Sequence, residues 1–332
     1  MDKEQEEIQF LGIFDIYKEA YKIIFSWRKI FSQITLTLIL PLSLISLAHI
    51  QVSELLFRRI IRNEIILDET KAGTPKYKKL SDHISSEWTT FWLFKAAYFT
   101  FLLIFSLQSA SAVVYTVASI YTGREVTFKK ILSVVPKVWT RLMVTFLWAF
   151  IAFFAYNTLG LIVLFATLYS INSTYNADLV IGIILLVIYL VGSVYLSLVW
   201  QLASVVSVLE DVRGIEAMKK SKTLIKGKMW VAILVFSKHI ISGFLLQFAF
   251  QNLVVHGWSL EEVDRVGYAI ICLLVLLKLI LFGLVIQTIL YFVCKSYHHE
   301  NIDKLALSDH LEVYLGDYVP LKADVQLQQF DV

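Results

Sequence analysis

Apolar positions in this chain gather into six runs, each at least as long as the roughly 20 residues that cross a bilayer as a helix. The runs are Ile30–Ile50, Trp88–Ser119, Leu142–Ser170, Leu179–Ser204, Val231–Val255 and Val266–Cys294. Pro41 lies inside the first and predicts a kink there. Three of the intervening stretches have a different pattern, with apolar residues returning every three or four positions. They read "LGIFDIYKEAYKIIFSWRKIF" (11–31), "VTFKKILSVVPKVWTRL" (126–142) and "EDVRGIEAMKKSKTLIKGKMW" (210–230). At about 100° per residue, each folds into a two-faced helix. In the first, Ile13, Ile16, Tyr17, Ala20, Tyr21, Ile24 and Trp27 share one face. In the second, Phe128, Ile131, Leu132, Val135, Val138 and Trp139 do so. In the third, Ala217, Met218, Ser221, Leu224 and Ile225 form the less polar arc.

Each two-faced stretch ends in an aromatic and basic junction, after which an apolar run begins. The pattern predicts an all-α, polytopic membrane protein of six transmembrane helices with three interfacial amphipathic elbow helices, arranged as a threefold repeat of elbow, span, short return and span. Such elbows lie in the interface plane with the apolar side down and lysines toward lipid phosphates. Lys129, Lys130, Lys137, Lys219, Lys220, Lys222 and Lys226 are the predicted headgroup contacts. Trp27, Trp139 and Trp230 are the predicted headgroup-level aromatics.

Composition agrees with this class. The chain of 332 residues is 58% hydrophobic and only 17% charged, against about a quarter charged in soluble domains. The net charge of +3 matters less than its placement. Outside the runs, one side of the predicted membrane collects 19 Lys and Arg and the other 8. The positive-inside rule then puts both termini in the cytosol, on the endoplasmic reticulum, another endomembrane or the plasma membrane. The expected parts are a cytosolic N-terminus with an amphipathic helix (1–29), a six-span membrane domain (30–294) and a cytosolic tail (295–332). The opening "MDKEQEEIQF" lacks the basic start of a cleaved signal peptide, so the first run is expected to act as the insertion signal. The connection 51–87 is discordant. It carries Arg58, Arg59, Arg62, Lys71, Lys76, Lys78 and Lys79 on the less basic side, and its first half is read as an interfacial helix.

Ionisable groups inside spans are the first functional suspects. They are Lys95, Lys238, His239 and Lys278, the last being deepest. Lys278 either faces a polar cavity and an anionic headgroup or bonds within the bundle. Asn157, Gln201, Gln247, Gln251 and Gln287 are expected toward the bundle interior, where interhelical hydrogen bonding explains them; a ligand cavity is the alternative. His298, His299, Glu300 and Asp303 form a cluster past the last run. Neighbouring histidines point to different helix faces, so a solvated helix end is expected there and no metal site. Cys294 is a palmitoylation candidate, and Cys272 is expected among apolar side chains. Asn172-Ser173-Thr174 is a sequon close to the membrane. No phosphate-binding glycine loop, zinc-protease motif or nucleophile elbow occurs, and no cofactor or nucleic-acid partner is expected.

Glu210, Gly214, Ala217, Ser221, Leu224, Lys226, Gly227 and Trp230 resemble a pattern in bacterial six-span families, among them the membrane domain attached to some glycerophosphoryl diester phosphodiesterases. The opening "EIQFLGIFDIYKEAYKIIFSWRKIFSQITLTLILPLS" and the tail "YFVCKSYHHENIDKLALSDHLEVYLGDYVPL" resemble a plant family of uncharacterised six-span proteins. These resemblances imply a fold and no activity, because the phosphodiesterase chemistry belongs to a separate barrel. The expected function is a non-enzymatic membrane protein that organises or senses anionic lipid, or scaffolds a cytosolic partner at its tail. The alternatives are an enzyme acting on a lipid or isoprenoid, with Lys278, His239, Glu210 and Asp211 as acids and bases, and a transporter.

Overall fold

A computed structural model describes residues 9–124, 126–170, 176–257 and 260–298. Those residues are all-helical, with no strand among them. In chain order the helices are α1 (Ile13–Ser26), α2 (Arg28–Asp68), α3 (Pro75–Tyr121), α4 (Phe128–Ser170), α5 (Asn176–Leu209), α6 (Ile215–Ile225), α7 (Met229–Val255) and α8 (Glu262–Tyr297). Six of the eight, all but α1 and α6, are long and apolar enough to cross a membrane.

The helices overrun the predicted runs where no glycine or proline stops them. α2 continues to Asp68, and α3 starts at Pro75. Proline suits a first helical position because its missing N–H would have no partner there. Thr74 caps that end, its Oγ1 accepting the Tyr77 N–H at 3.2 Å. The connection 51–87 is therefore a helical hairpin whose first half continues α2 and is not a separate helix. Its two arms are joined by Asn63 Nδ2 donating to Glu87 Oε2 at 2.8 Å and Trp88 Nε1 donating to Glu64 Oε1 at 3.0 Å. Ahead of Pro41, α2 relaxes into a wide π turn over Thr35–Ile39, with the Leu40 N–H reaching back to the Thr35 carbonyl.

The second expected elbow does not exist as a separate helix. Residues 128–170 form one continuous α4 that runs through Pro136. No glycine lies between Gly123 and Gly160, so nothing ends the helix before the apolar run begins. The two separate short helices, α1 and α6, end respectively at Trp27 and just ahead of Gly227.

The chain divides into two compact units. The first holds residues 1–30, 110–234 and 285–332. In it α4 packs along α5, and α6 packs on both. Tyr156 and Tyr189 stack between α4 and α5 at 5.4 Å, with Tyr156 Oη donating to the Tyr189 carbonyl at 2.8 Å. Gly160 faces the Tyr189 ring and Gly192 the Tyr156 ring, so a methyl group at either would meet the clamp. The second unit holds residues 31–109 and 235–284. There Leu47 of α2, Phe250, Val254 and Val255 of α7 and Cys272 of α8 form a buried cluster.

Candidate functional site

α6 is where the first unit gathers its polar groups. The site starts with Glu210, one residue past the end of α5, its side chain only 11% exposed. Oε1 accepts hydrogen bonds from Tyr291 Oη at 2.5 Å and Lys295 Nζ at 2.9 Å, both on α8. Oε2 pairs with Lys220 Nζ of α6 at 2.5 Å. Burial alone would raise the Glu210 pKa. The hydrogen bonds from Lys220 and Tyr291 and the charge and hydrogen bond of Lys295 outweigh it, and the net shift is downward. The carboxylate is thus held ionised by two cations near a helix C-terminus, where positive charge also meets the helix dipole. Beside it Asp211 pairs with Arg141 of α4.

The turn between α5 and α6 is fastened from α4. The Gly214 N–H donates to Thr145 Oγ1 at 2.8 Å, and Thr145 Oγ1 shares a hydrogen with Ser207 Oγ at 2.7 Å. Gly214 has φ +62° and ψ −129°, a conformation open to glycine. A Cβ there would also come within 2.8 Å of the Trp148 ring. From this turn α6 runs with Ala217, Ser221, Leu224 and Ile225 buried. Ser221 Oγ donates to the Val199 carbonyl of α5 at 2.7 Å, which explains a serine on an otherwise apolar arc. At the far end His298 Nε2 lies 3.1 Å from the Leu224 carbonyl and 2.8 Å from that of Lys226. These are carbonyls the end of a helix leaves unpaired. Gly227, with φ +92°, passes under the Tyr297 ring.

This geometry corrects the sequence reading of α6. The arc Ala217–Ser221–Leu224–Ile225 is the inward face, as its periodicity implies, but what it packs on is α5 and not lipid. Lys220 turns to Glu210, while Lys219, Lys222 and Lys226 are exposed. In α4, Lys129, Lys130 and Lys137 are exposed, and Ile131, Val134, Val135 and Val138 are buried in protein. Trp230 is 78% exposed. Trp27 and Trp139 are half-buried, and the covered Trp139 Nε1 has no hydrogen-bond partner among the described residues.

The proposed catalytic set is divided. Glu210 and Asp211 belong to the first unit, His239 and Lys278 to the second. Lys278 is exposed on α8. The His239 ring packs over Gly283, where a Cβ would come within 2.8 Å of Nε2. Lys238 is exposed. Lys95 meets His49 of α2, Nζ to Nε2 at 2.9 Å, and the His49 ring stacks on Tyr98 at 3.6 Å. His49 has no place in the sequence reading, although it is the one titratable residue in the first run.

The amide set is likewise split, with Asn157, Gln201 and Gln287 in the first unit and Gln247 and Gln251 in the second. Gln287 Nε2 donates to the Gln201 carbonyl and to Ser204 Oγ. Asn157 Oδ1 takes the Tyr189 hydroxyl at 2.7 Å. Gln247 is exposed, and the main-chain carbonyl of Gln251 accepts the His256 N–H at 2.9 Å. Cys294 is fully buried at 0% exposure, so its thiol is not accessible for acylation. Cys272 is packed among apolar side chains, as expected. His299, Glu300, Asp303, the sequon and the tail beyond 298 lie outside the described residues. Among the described residues no cluster of His, Cys, Asp and Glu is arranged to hold a metal ion.

Sequence reasoning missed Tyr291, Lys295, Arg141 and Thr145. One signal for Lys295 was available. In a six-run chain the ends of the fourth and sixth runs fall on the same side, and these ends carry Glu210 and Lys295.

The family model described as "Domain of unknown function (DUF8558)" matches residues 1–330. No curated protein and no solved structure matches the chain.

Proposed function

The chain belongs to the DUF8558 family, and we propose that it is a non-enzymatic six-span membrane protein that gathers anionic lipid headgroups at its cytosolic face, on an endomembrane or the plasma membrane. One observation carries this reading. Glu210 takes up the charge of Lys220 and Lys295 and fixes α6 against α5, while Lys219 and Lys222 remain exposed on the same short helix and Lys226 at its C-terminal cap. At 100° per residue Lys219 and Lys222 fall about 60° apart on the helix, and Lys226 follows directly at its end. A stripe of ammonium groups on a helix seated on the end of an apolar bundle is matched to a layer of lipid phosphates. The exposed Lys129, Lys130 and Lys137 at the start of α4 add to the same side of the predicted membrane. The 19-to-8 division of basic residues supports cytosolic termini. The saturated bonding of Glu210 favours a structural role for this acid over proton transfer.

The test uses the full chain in nanodiscs of equal phosphatidylcholine and phosphatidylserine. Lipid that stays bound on gentle detergent extraction is weighed by headgroup. Enrichment of phosphatidylserine is expected, falling to the bulk ratio in the triple variant Lys219→Gln, Lys222→Gln, Lys226→Gln. Retention of the two lipids in bulk ratio by the native chain refutes the reading.

A further inference from the structure

α1 has two apolar faces, and only one is used inside the protein. Ile16, Ala20 and Ile23 are buried. On nearly the opposite side Phe14 is 87% exposed, Tyr21 58% and Phe25 60%. At 100° per residue these three lie within about 40° of one another, and the exposed Phe10 stands just ahead of the helix. Tyr21 and Phe25 stack at 5.6 Å, and Phe14 lies on the same side two turns before Tyr21. The periodicity of the sequence assigned lipid contact to the arc that includes Ile16 and Ala20. The fold has taken Ile16 and Ala20 of that arc for itself and left Tyr21, at the arc's margin, uncovered with Phe14 and Phe25.

We propose that the Phe14–Tyr21–Phe25 edge of α1 is inserted among lipid headgroups and anchors the N-terminal helix to the bilayer surface. This rests on the membrane reading above. Three observations select lipid as the occupant. α1 passes into α2, a helix long enough to cross a membrane, through the single residue Trp27, so it cannot travel far from the surface that α2 enters. The edge is Phe and Tyr; Tyr settles at the level of headgroups, and Phe is common on the buried face of helices lying in the interface. The exposed Arg28 and Lys29 follow directly, placing positive charge where phosphates would be. The polar side of α1 is balanced, with Asp15 and Glu19 against Lys18 and Lys22, and Lys22 lies 3.7 Å from Glu19. Insertion is therefore driven by the rings and does not require anionic lipid.

Single cysteines at Phe14, Phe25, Asp15 and Ile184 in the full chain, labelled with an environment-sensitive fluorophore in phosphatidylcholine nanodiscs, test this. Cys272 and Cys294 are buried, so label goes to the introduced thiol. The replaced side chains at 14, 15, 25 and 184 are exposed, so no buried packing is lost; Phe25→Cys gives up the ring stack on Tyr21 and Asp15→Cys the bond from the Gly12 N–H. Nitroxide lipid labelled near the headgroup is expected to quench the probes at 14 and 25, and aqueous iodide to quench the probe at 15. Adding phosphatidylserine should leave the first result unchanged. Probes at 14 and 25 quenched by iodide instead put the edge in water. Probes there quenched by neither put it against protein, a second copy included. Either outcome overturns the proposal while the membrane reading stands, provided the probe at 184 on α5 is quenched by lipid labelled deep in the acyl chain. Loss of quenching at 184 overturns the membrane reading and this proposal together.

Discussion

α1 and α6 look alike in sequence and are opposites in structure. Both are short two-faced helices set directly before an apolar run, with an aromatic and basic junction between. α6 buries Ala217, Ser221, Leu224 and Ile225, packs on α5, and is fastened at both ends, by Glu210, Asp211 and Gly214 on one side and His298 on the other. It shows lysines outward. α1 seats a narrow strip, Ile16, Ala20 and Ile23, and shows rings outward. Hydrophobic periodicity reports that a face will be covered but not by what. In α6 the cover is protein, and charge is left for the outside. In α1 the protein covers half of the apolar surface, and the rest needs another apolar partner.

The largest expected effect that would test this contrast comes from Glu210→Gln. It leaves Lys220 and Lys295 half-buried without their acid, a loss of about 3–5 kcal/mol for a broken buried pair. Thermal unfolding of the purified protein should fall accordingly, with α6 becoming sensitive to trypsin at Lys219 and Lys222. Unchanged unfolding would mean that packing alone seats α6. Next is Gly214→Ala, which puts a side chain at a positive φ and against Trp148, costing about 1–3 kcal/mol; the same assay reads it.

Acid should separate the two helices. The Glu210 pKa is lowered in the native state, so its contribution is complete above the ordinary carboxylate value. It is lost as pH falls through the lowered native value. Hydrogen exchange of α6 should rise in that acidic window. The seating residues of α1 carry no titratable group, so lipid quenching at position 14 should persist through it. A smaller effect is expected from His298→Ala, which unpairs two carbonyls at the end of α6 and costs about 1 kcal/mol. Last is Lys222→Gln, for which no change in unfolding is expected, only weaker retention of anionic lipid.

Much of the fold is legible because apolar run length and the lack of glycine or proline act locally. The six long helices appear in the sequence, and so does the inward arc of α6. The Glu210 site was half legible. Glu210, Asp211 and Lys220 lie close in sequence, but Tyr291 and Lys295 are 81 and 85 residues from Glu210. Only packing of α8 against the end of α5 brings them there. The α1 edge was hidden for another reason. A helical wheel ranks Ile16 and Phe14 by apolarity alone, and coverage depends on neighbours far along the chain. The merging of the second elbow into α4 was readable from the absence of glycine after Gly123, a negative signal that the repeat of aromatic and basic junctions masked.

The α2–α3 hairpin offers a practical handle. Its arm from 51 to 68 spans roughly 27 Å at 1.5 Å per residue. At the tip of the hairpin Gly73 has φ +85° and nothing within 4 Å of where a Cβ would be. Extra residues there meet no obstacle, and lengthening a loop costs little, about 0.6 kcal/mol for each doubling. An epitope inserted after Gly73 would become a sidedness marker, readable in intact and permeabilised cells. It would tell which compartment the seven basic residues of the connection enter, and with it the direction in which the whole chain is threaded.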